Sequence, residues 1–125
     1  METSIQGPFA TFAAAVPADL VGKEYHYVEL IDGTRNIQLV TTGDAIGVLE
    51  NKLEGGSDWT VRLLGCGGTY KVKLSGAIAH LAEVKAAAGG TAVDQGGSGR
   101  ITGRLLSPVA GGVSGDIAEV LDVLA

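Results

Sequence analysis

Gly43 to Gly56 reads GDAIGVLENKLEGG, and 56 residues further on Gly99 to Gly112 reads GRITGRLLSPVAGG. Extended upstream, GTRNIQLVTTGDAIGVLENKLEGG from Gly33 aligns with GTAVDQGGSGRITGRLLSPVAGG from Gly90, with one residue missing in the second copy. Gly33 and Gly90, Thr34 and Thr91, Gly43 and Gly99, Gly47 and Gly103, Leu49 and Leu105, Gly55 and Gly111, and Gly56 and Gly112 then coincide. After each GG pair come polar residues, an aspartate and a strand-like run, SDWTVRLL in the first copy and VSGDIAEVLDVL in the second. Turn, strand, glycine-containing strand, GG turn and strand are thus written twice. This predicts an internal duplication with repeat units at about 20–65 and 81–125. Glycine within a strand marks a bulge or a close backbone approach. A pseudo-twofold arrangement bringing the strands of Gly47 and Gly103 together accounts for both, with Gly55, Gly56, Gly111 and Gly112 as structural glycines of the turns.

Alternation of period two supports the strands. In DWTVRLL, Trp59, Val61 and Leu63 face one way and Thr60, Arg62 and Leu64 the other. TYKVKLSG sets Tyr70, Val72 and Leu74 opposite Lys71 and Lys73. In YHYVELI the sets are Tyr25, Tyr27, Glu29 and His26, Val28, Leu30. The tracts IDGT, LEGGSD, GCGGT, AGGT and DQGGSG punctuate these runs where turns need positive φ. Residues 76–88 can be read in two ways. Helical spacing of Ile78, Leu81, Ala82 and Lys85, with Ser75 and Gly89 as caps, describes a helix; LAEVKA turning at AAGG describes a strand. The repeat favours the strand, because YHYVEL turns at IDGT in the first copy. Short strands with turns at this spacing predict an all-β fold, a small β-sandwich or barrel-like domain.

A chain of 125 residues forms one core, and we assign residues 19–125 to a single β domain preceded by an extended N-terminal arm, 1–18. Only 5% of the residues are aromatic and 20 are glycine, so the core is thin. Contacts with other chains are expected to supply part of the stability. A net charge of −5 with scattered basic residues argues against nucleic acid as a partner. No apolar run approaches the roughly 20 residues of a membrane span. FATFAAAV, Phe9 to Val16, follows a single charge, Glu2, and lacks the positive region of a signal peptide. The single cysteine fits synthesis in a reducing cytoplasm.

No convergent polar constellation emerges, so no catalytic, cofactor-binding or metal residues are assigned. His26 and His80 have no ligand partners at metal spacing and read as strand or surface histidines. Cys66, in LGCGGT, has no base tied to it by a motif and reads as a small turn residue; a small hydrolase using it is a remote alternative. GCGGTYK and GGSGR lack the order of a phosphate loop. Lys71, Lys73 and Lys85 suggest a carrier module, since biotinyl and lipoyl domains are also small, acidic β-sandwiches. Those domains present their lysine at a hairpin tip, whereas Lys71 and Lys73 alternate along a strand. For Phe9, Phe12 and Val16 two readings stand: a short helical stripe on the protein's own core, or an arm that orders on a partner.

Ser75 and Gly76, Ala86 to Gly90, Gly99 to Ile101, Thr102 and Gly103, and Asp116 to Leu121 together resemble the small capsid decoration, or cement, proteins of tailed phages. GDAIGVL, Gly43 to Leu49, is similar to the first-half motif of that family, and the likeness spans roughly Gly33 to Leu124. The resemblance implies a structural virion protein, not an enzyme, with no cofactor. It implies binding to the major capsid protein on the outer surface of an expanded head, self-association as a homotrimer, and bracing of neighbouring subunits. Phe9, Phe12 and Val16 are the capsid-contacting residues expected on the arm reading. The alternative function is the small carrier or binding module of metabolism.

Overall fold

The computed structural model of the chain describes residues 9–41, 44–52 and 58–122. It is all-β. The first sheet contains β1 (Phe9–Ala13), β2 (Tyr27–Leu30), β3 (Ile37–Leu39), β4 (Gly47–Lys52) and β5 (Asp58–Leu63), with a 3-10 turn, Pro17–Leu20, between β1 and β2. The second contains β6 (Thr69–Lys73), β7 (Glu83–Ala86), β8 (Ala92–Asp94), β9 (Gly103–Ser107) and β10 (Ile117–Asp122). Both sheets have five antiparallel strands, in the orders β1-β5-β4-β2-β3 and β6-β10-β9-β7-β8, and pack together as a small β-sandwich. Single parallel bridges, Ala14 to Ile37 and Leu74 to Ala92, draw the two edges of each sheet towards one another.

The two orders are the same once β6 to β10 are read in place of β1 to β5, and the likeness extends to irregularities. Tyr25 and Leu81 are the non-glycine residues with positive φ among those described, at 67° and 65°. Their N–H groups donate to the carbonyls of Leu49 and Leu105. The register of β4 slips between Leu49 and Asn51, and that of β9 between Leu105 and Ser107, so one bulged residue, Glu50 or Leu106, sits at the corresponding point. At the turns, Thr34 N–H donates to Ile31 O and Gly90 N–H to Ala87 O. Gly33 therefore corresponds to Gly89, one residue earlier than the alignment pairs it; both have positive φ, 79° and 91°, which the tight turn demands. Residues 83–86 form β7, so the strand reading of the 76–88 segment holds.

Gly47 and Gly103 have a different reason from the one expected. They do not bring the two halves together. A Cβ on Gly47 would run into the carbonyl oxygen of Arg62 and the side chain of Val61; one on Gly103 would meet Leu121 O at 2.5 Å and the side chain of Val120. Each glycine lets its strand approach its own neighbour, β5 or β10, beside the bulge. Gly111 has φ 97°, and a side chain on Gly112 would collide with Leu74. Gly55 and Gly56 lie outside the described residues.

The joint between the sheets is also not twofold. Tyr27 N–H donates to Gly90 O (2.6 Å), Gly89 N–H to Val40 O (2.9 Å) and Lys73 N–H to Tyr25 O (2.8 Å). Roles exchanged, a twofold joint would set Glu83 against Thr34. Instead Glu83 pairs with Arg104 inside its own sheet, and Thr34 is exposed. The joint is head to tail: the outer face of the first sheet covers the interior of the second. Two apolar clusters follow. Phe12, Leu20, Val28, Ile37, Leu49, Trp59 and Val61 fill the first sheet's own interior. Tyr27, Val40, Ala45 and Val48 of the first sheet join Tyr70, Val72, Leu74, Val84, Leu105 and Val120 in the other. β2 is thus buried on both faces, which explains why YHYVEL alternates poorly.

Candidate contact surface

The N-terminal stretch is an edge strand, not a helical stripe. β1 lies antiparallel to β5 with Phe9 opposite Arg62 and Phe12 opposite Trp59. Residues three apart fall on opposite faces of a strand, so the two phenylalanines part company. Phe12 is buried against Trp59 and Leu49, with the Arg35 guanidinium 4.7 Å from its ring centroid. Phe9 is 44% exposed and Val16, just before the 3-10 turn, 53% exposed. Of the three residues expected to touch a partner, Phe9 and Val16 are open to do so; Phe12 is a core anchor.

Across the first sheet runs the outward row Phe9, Arg62, Val48, Tyr27, set by the registers of β1, β5, β4 and β2. Arg62, Val48 and Tyr27 are buried where this row meets the second sheet. The Tyr27 hydroxyl lies 2.7 Å from that of Tyr70 and 2.8 Å from Thr102 Oγ1, and Tyr70 donates to Thr102 O (2.7 Å). Burial above all pushes the Tyr70 phenol up to about 12 and Tyr27 well above its usual range, so both stay neutral donors. Arg62 donates to Asp122 (2.5 Å), to Leu63 O (2.7 Å) and to Gly67 O. Asp122 accepts further bonds from the Gly65 and Cys66 N–H groups, each 3.1 Å. A buried ion pair of this kind is tolerable because its remaining polar atoms are bonded. The pair is 60 residues apart in sequence, and nothing short-range announces it. The available signal is that Arg62 interrupts an apolar run, VRLL.

The corresponding row of the second sheet is Thr69, Leu121, Arg104, Glu83. It faces outward: Leu121 is 41% exposed, and Arg104 and Glu83 form a loose 3.8 Å pair with both side chains about half exposed. Ile117 on β10 and Leu81 before β7 extend it as exposed apolar residues, with Lys71 and Lys73 beside them on β6.

The remaining candidates are held by local structure. His26 directs Nδ1 at the carbonyls of Lys23 and Glu24, which fixes a proton there, and His80 is exposed. Cys66 is exposed, and the turn amides that would cradle an anion beside it serve Asp122 instead. In GGSG, Gly96 and Gly97 N–H groups are taken by Asp94 and Gln95 side chains. Lys71 and Lys73 alternate with buried Tyr70 and Val72 along β6, and Lys85 donates to Ser98 O, so none of the three stands at a hairpin tip. Among the described residues no group of three or more His, Cys, Asp or Glu converges to hold a metal. Glu50, at the bulge of β4, has its carboxyl raised by partial burial, against the pull of Arg62 and Lys71. No family model matches the chain, and no curated protein matches its sequence.

Proposed function

We propose that this protein is a structural virion component, a capsid decoration protein that binds the major capsid protein on the outside of a phage head, self-associates as a homotrimer and braces neighbouring subunits without covalent chemistry. The small-residue motifs that resemble that family support the reading. The structural observation that carries it is an apolar margin on fixed backbone: Phe9 stands exposed at the start of β1 and Val16 between β1 and the 3-10 turn, on a strand anchored by Phe12 beneath. Little ordering entropy remains to be lost when such a margin docks. Burying each side chain contributes roughly 1.5–3 kcal/mol at most. A few such contacts per copy are weak alone and strong when many copies share one lattice.

Because β1 belongs to the first sheet, deleting everything before Pro17 would remove Phe12 from the core and is no clean test. Phe9→Ser and Val16→Ser leave the core alone. The test is co-sedimentation with purified expanded phage heads that lack this protein. The wild type should saturate the heads, and the double variant should bind at least about tenfold more weakly. A wild type that stays in the supernatant contradicts the reading.

A further inference from the structure

The head-to-tail joint inside the chain leaves its two counterpart surfaces open. One is the outer row of the second sheet, where Leu121, Arg104 and Glu83 occupy the places of Arg62, Val48 and Tyr27. The other is the turn end of the first sheet, whose counterpart in the second sheet, Gly89, Gly90 and Arg100, receives Val40, Tyr27 and Ala45. At the open end the matching residues are Gly33, Thr34 and Asp44, all exposed, with exposed Asp32 adjoining. The charges are complementary in balance, since Glu83 and Glu119 offset two of the three cations of the outer row and Arg35 one of the two aspartates of the open end. Arg104, Lys71 and Lys73 lie exposed on the outer row and its margin, whereas Asp44 stands at the open end where the occupied joint has Arg100.

We propose that copies of this chain associate head to tail, the open row of the second sheet in one copy docking on the Asp32–Thr34 and Asp44 end of the first sheet in the next. The contact repeats between chains the backbone arrangement of the joint that each chain already makes within itself, without the Arg100 bond to Ala45 O, because Asp44 has no proton to donate there. It deepens the self-association part of the proposed function by naming the surfaces, and it rests on that part alone. Exposed Leu121 and Ile117 supply the apolar centre, and the charges fix direction and register. Since the two surfaces differ, the contact is heterologous, and it closes as a ring or runs on as a filament according to the rotation per step.

The test uses the full chain and its variants Arg104→Glu, Leu121→Asp and Asp44→Arg in analytical ultracentrifugation, with circular dichroism to verify folding. The wild type should associate reversibly, more weakly as salt rises. Each single variant should lose at least about tenfold in association constant. A mixture of the Arg104→Glu and Asp44→Arg chains should regain association between unlike chains, because each then offers the other a matched pair; a closed ring of three would keep one mismatched junction, so the recovered species are pairs and alternating chains. Folded variants that associate like the wild type overturn the proposal, and so does a mixture that fails to recover. A wild type that remains monomeric yet binds heads overturns it too, while leaving the decoration reading intact; one that associates as described but ignores heads does the reverse.

Discussion

Two sheets with one strand order face their surroundings differently, and the difference lies in a few side chains. In the first sheet the row Arg62, Val48, Tyr27 is buried against the second; in the second sheet the matching row Leu121, Arg104, Glu83 is open. The interiors differ as well. Trp59 and Phe12 fill the first sheet where β10 and β6 place Ala118 and Val72 in the second. Aromatic bulk makes the first interior sufficient with the lid of Leu20, while the second, built from smaller residues, takes Tyr27, Val40 and Val48 from its neighbour to complete its packing. The two sheets share one strand order, and side-chain volume and polarity decide which sheet caps which.

The comparison breaks most readily at Asp122. Asp122→Ala leaves the Arg62 guanidinium buried and unpaired and orphans the Gly65 and Cys66 amides, so urea unfolding should show a loss of about 3–5 kcal/mol. Next come Gly47→Ala and Gly103→Ala, which force β4 away from β5 and β9 away from β10; each should lose about 1–3 kcal/mol, and by similar amounts, because the two positions do the same work. Tyr27→Phe removes the hydroxyl shared with Tyr70 and Thr102 and should cost about 1–3 kcal/mol. Glu83→Gln, at the matching point of the open row, should change stability by less than about 0.5 kcal/mol. Smallest is the pH effect of Glu50. Its folded carboxyl holds a proton more tightly than the unfolded one, so its contribution to stability declines as pH rises from the ordinary carboxylate range through the raised folded value. Urea midpoints measured across that window should fall slightly less steeply for Glu50→Gln than for the wild type.

The sheets were legible where alternation was clean. Trp59 and Val61 fall in one cluster while Leu64 packs on the other, and Tyr70 and Val72 turn inward between exposed lysines, as the spacing predicts. Gly47 and Gly103, which the sequence sets in register, lie on β4 and β9, strands at the same place in the two sheet orders and each beside a bulge. Their purpose was not legible, because a glycine records that something is close without saying what; here it is a carbonyl of the adjacent strand. The N-terminal stretch misled for a simpler reason. Phe9, Phe12 and Val16 have helical spacing, and a strand sends the first two to opposite faces. Arg62 with Asp122, and Tyr27 with Tyr70 and Thr102, pair residues far apart in the chain, so neither motif nor period could have placed them.

Hydroxyl-radical footprinting of the dilute, single-chain protein tests most directly whether the first sheet's outer row is buried while its counterpart stays open. Tyr27 and Tyr70 should resist oxidation as well as the core residue Trp59 does, while Phe9, Leu81, Ile117 and Leu121 react readily. Oxidation of Tyr27 and Tyr70 at the rate of Leu121 would contradict the account, since the two sheets would then not be packed through that row.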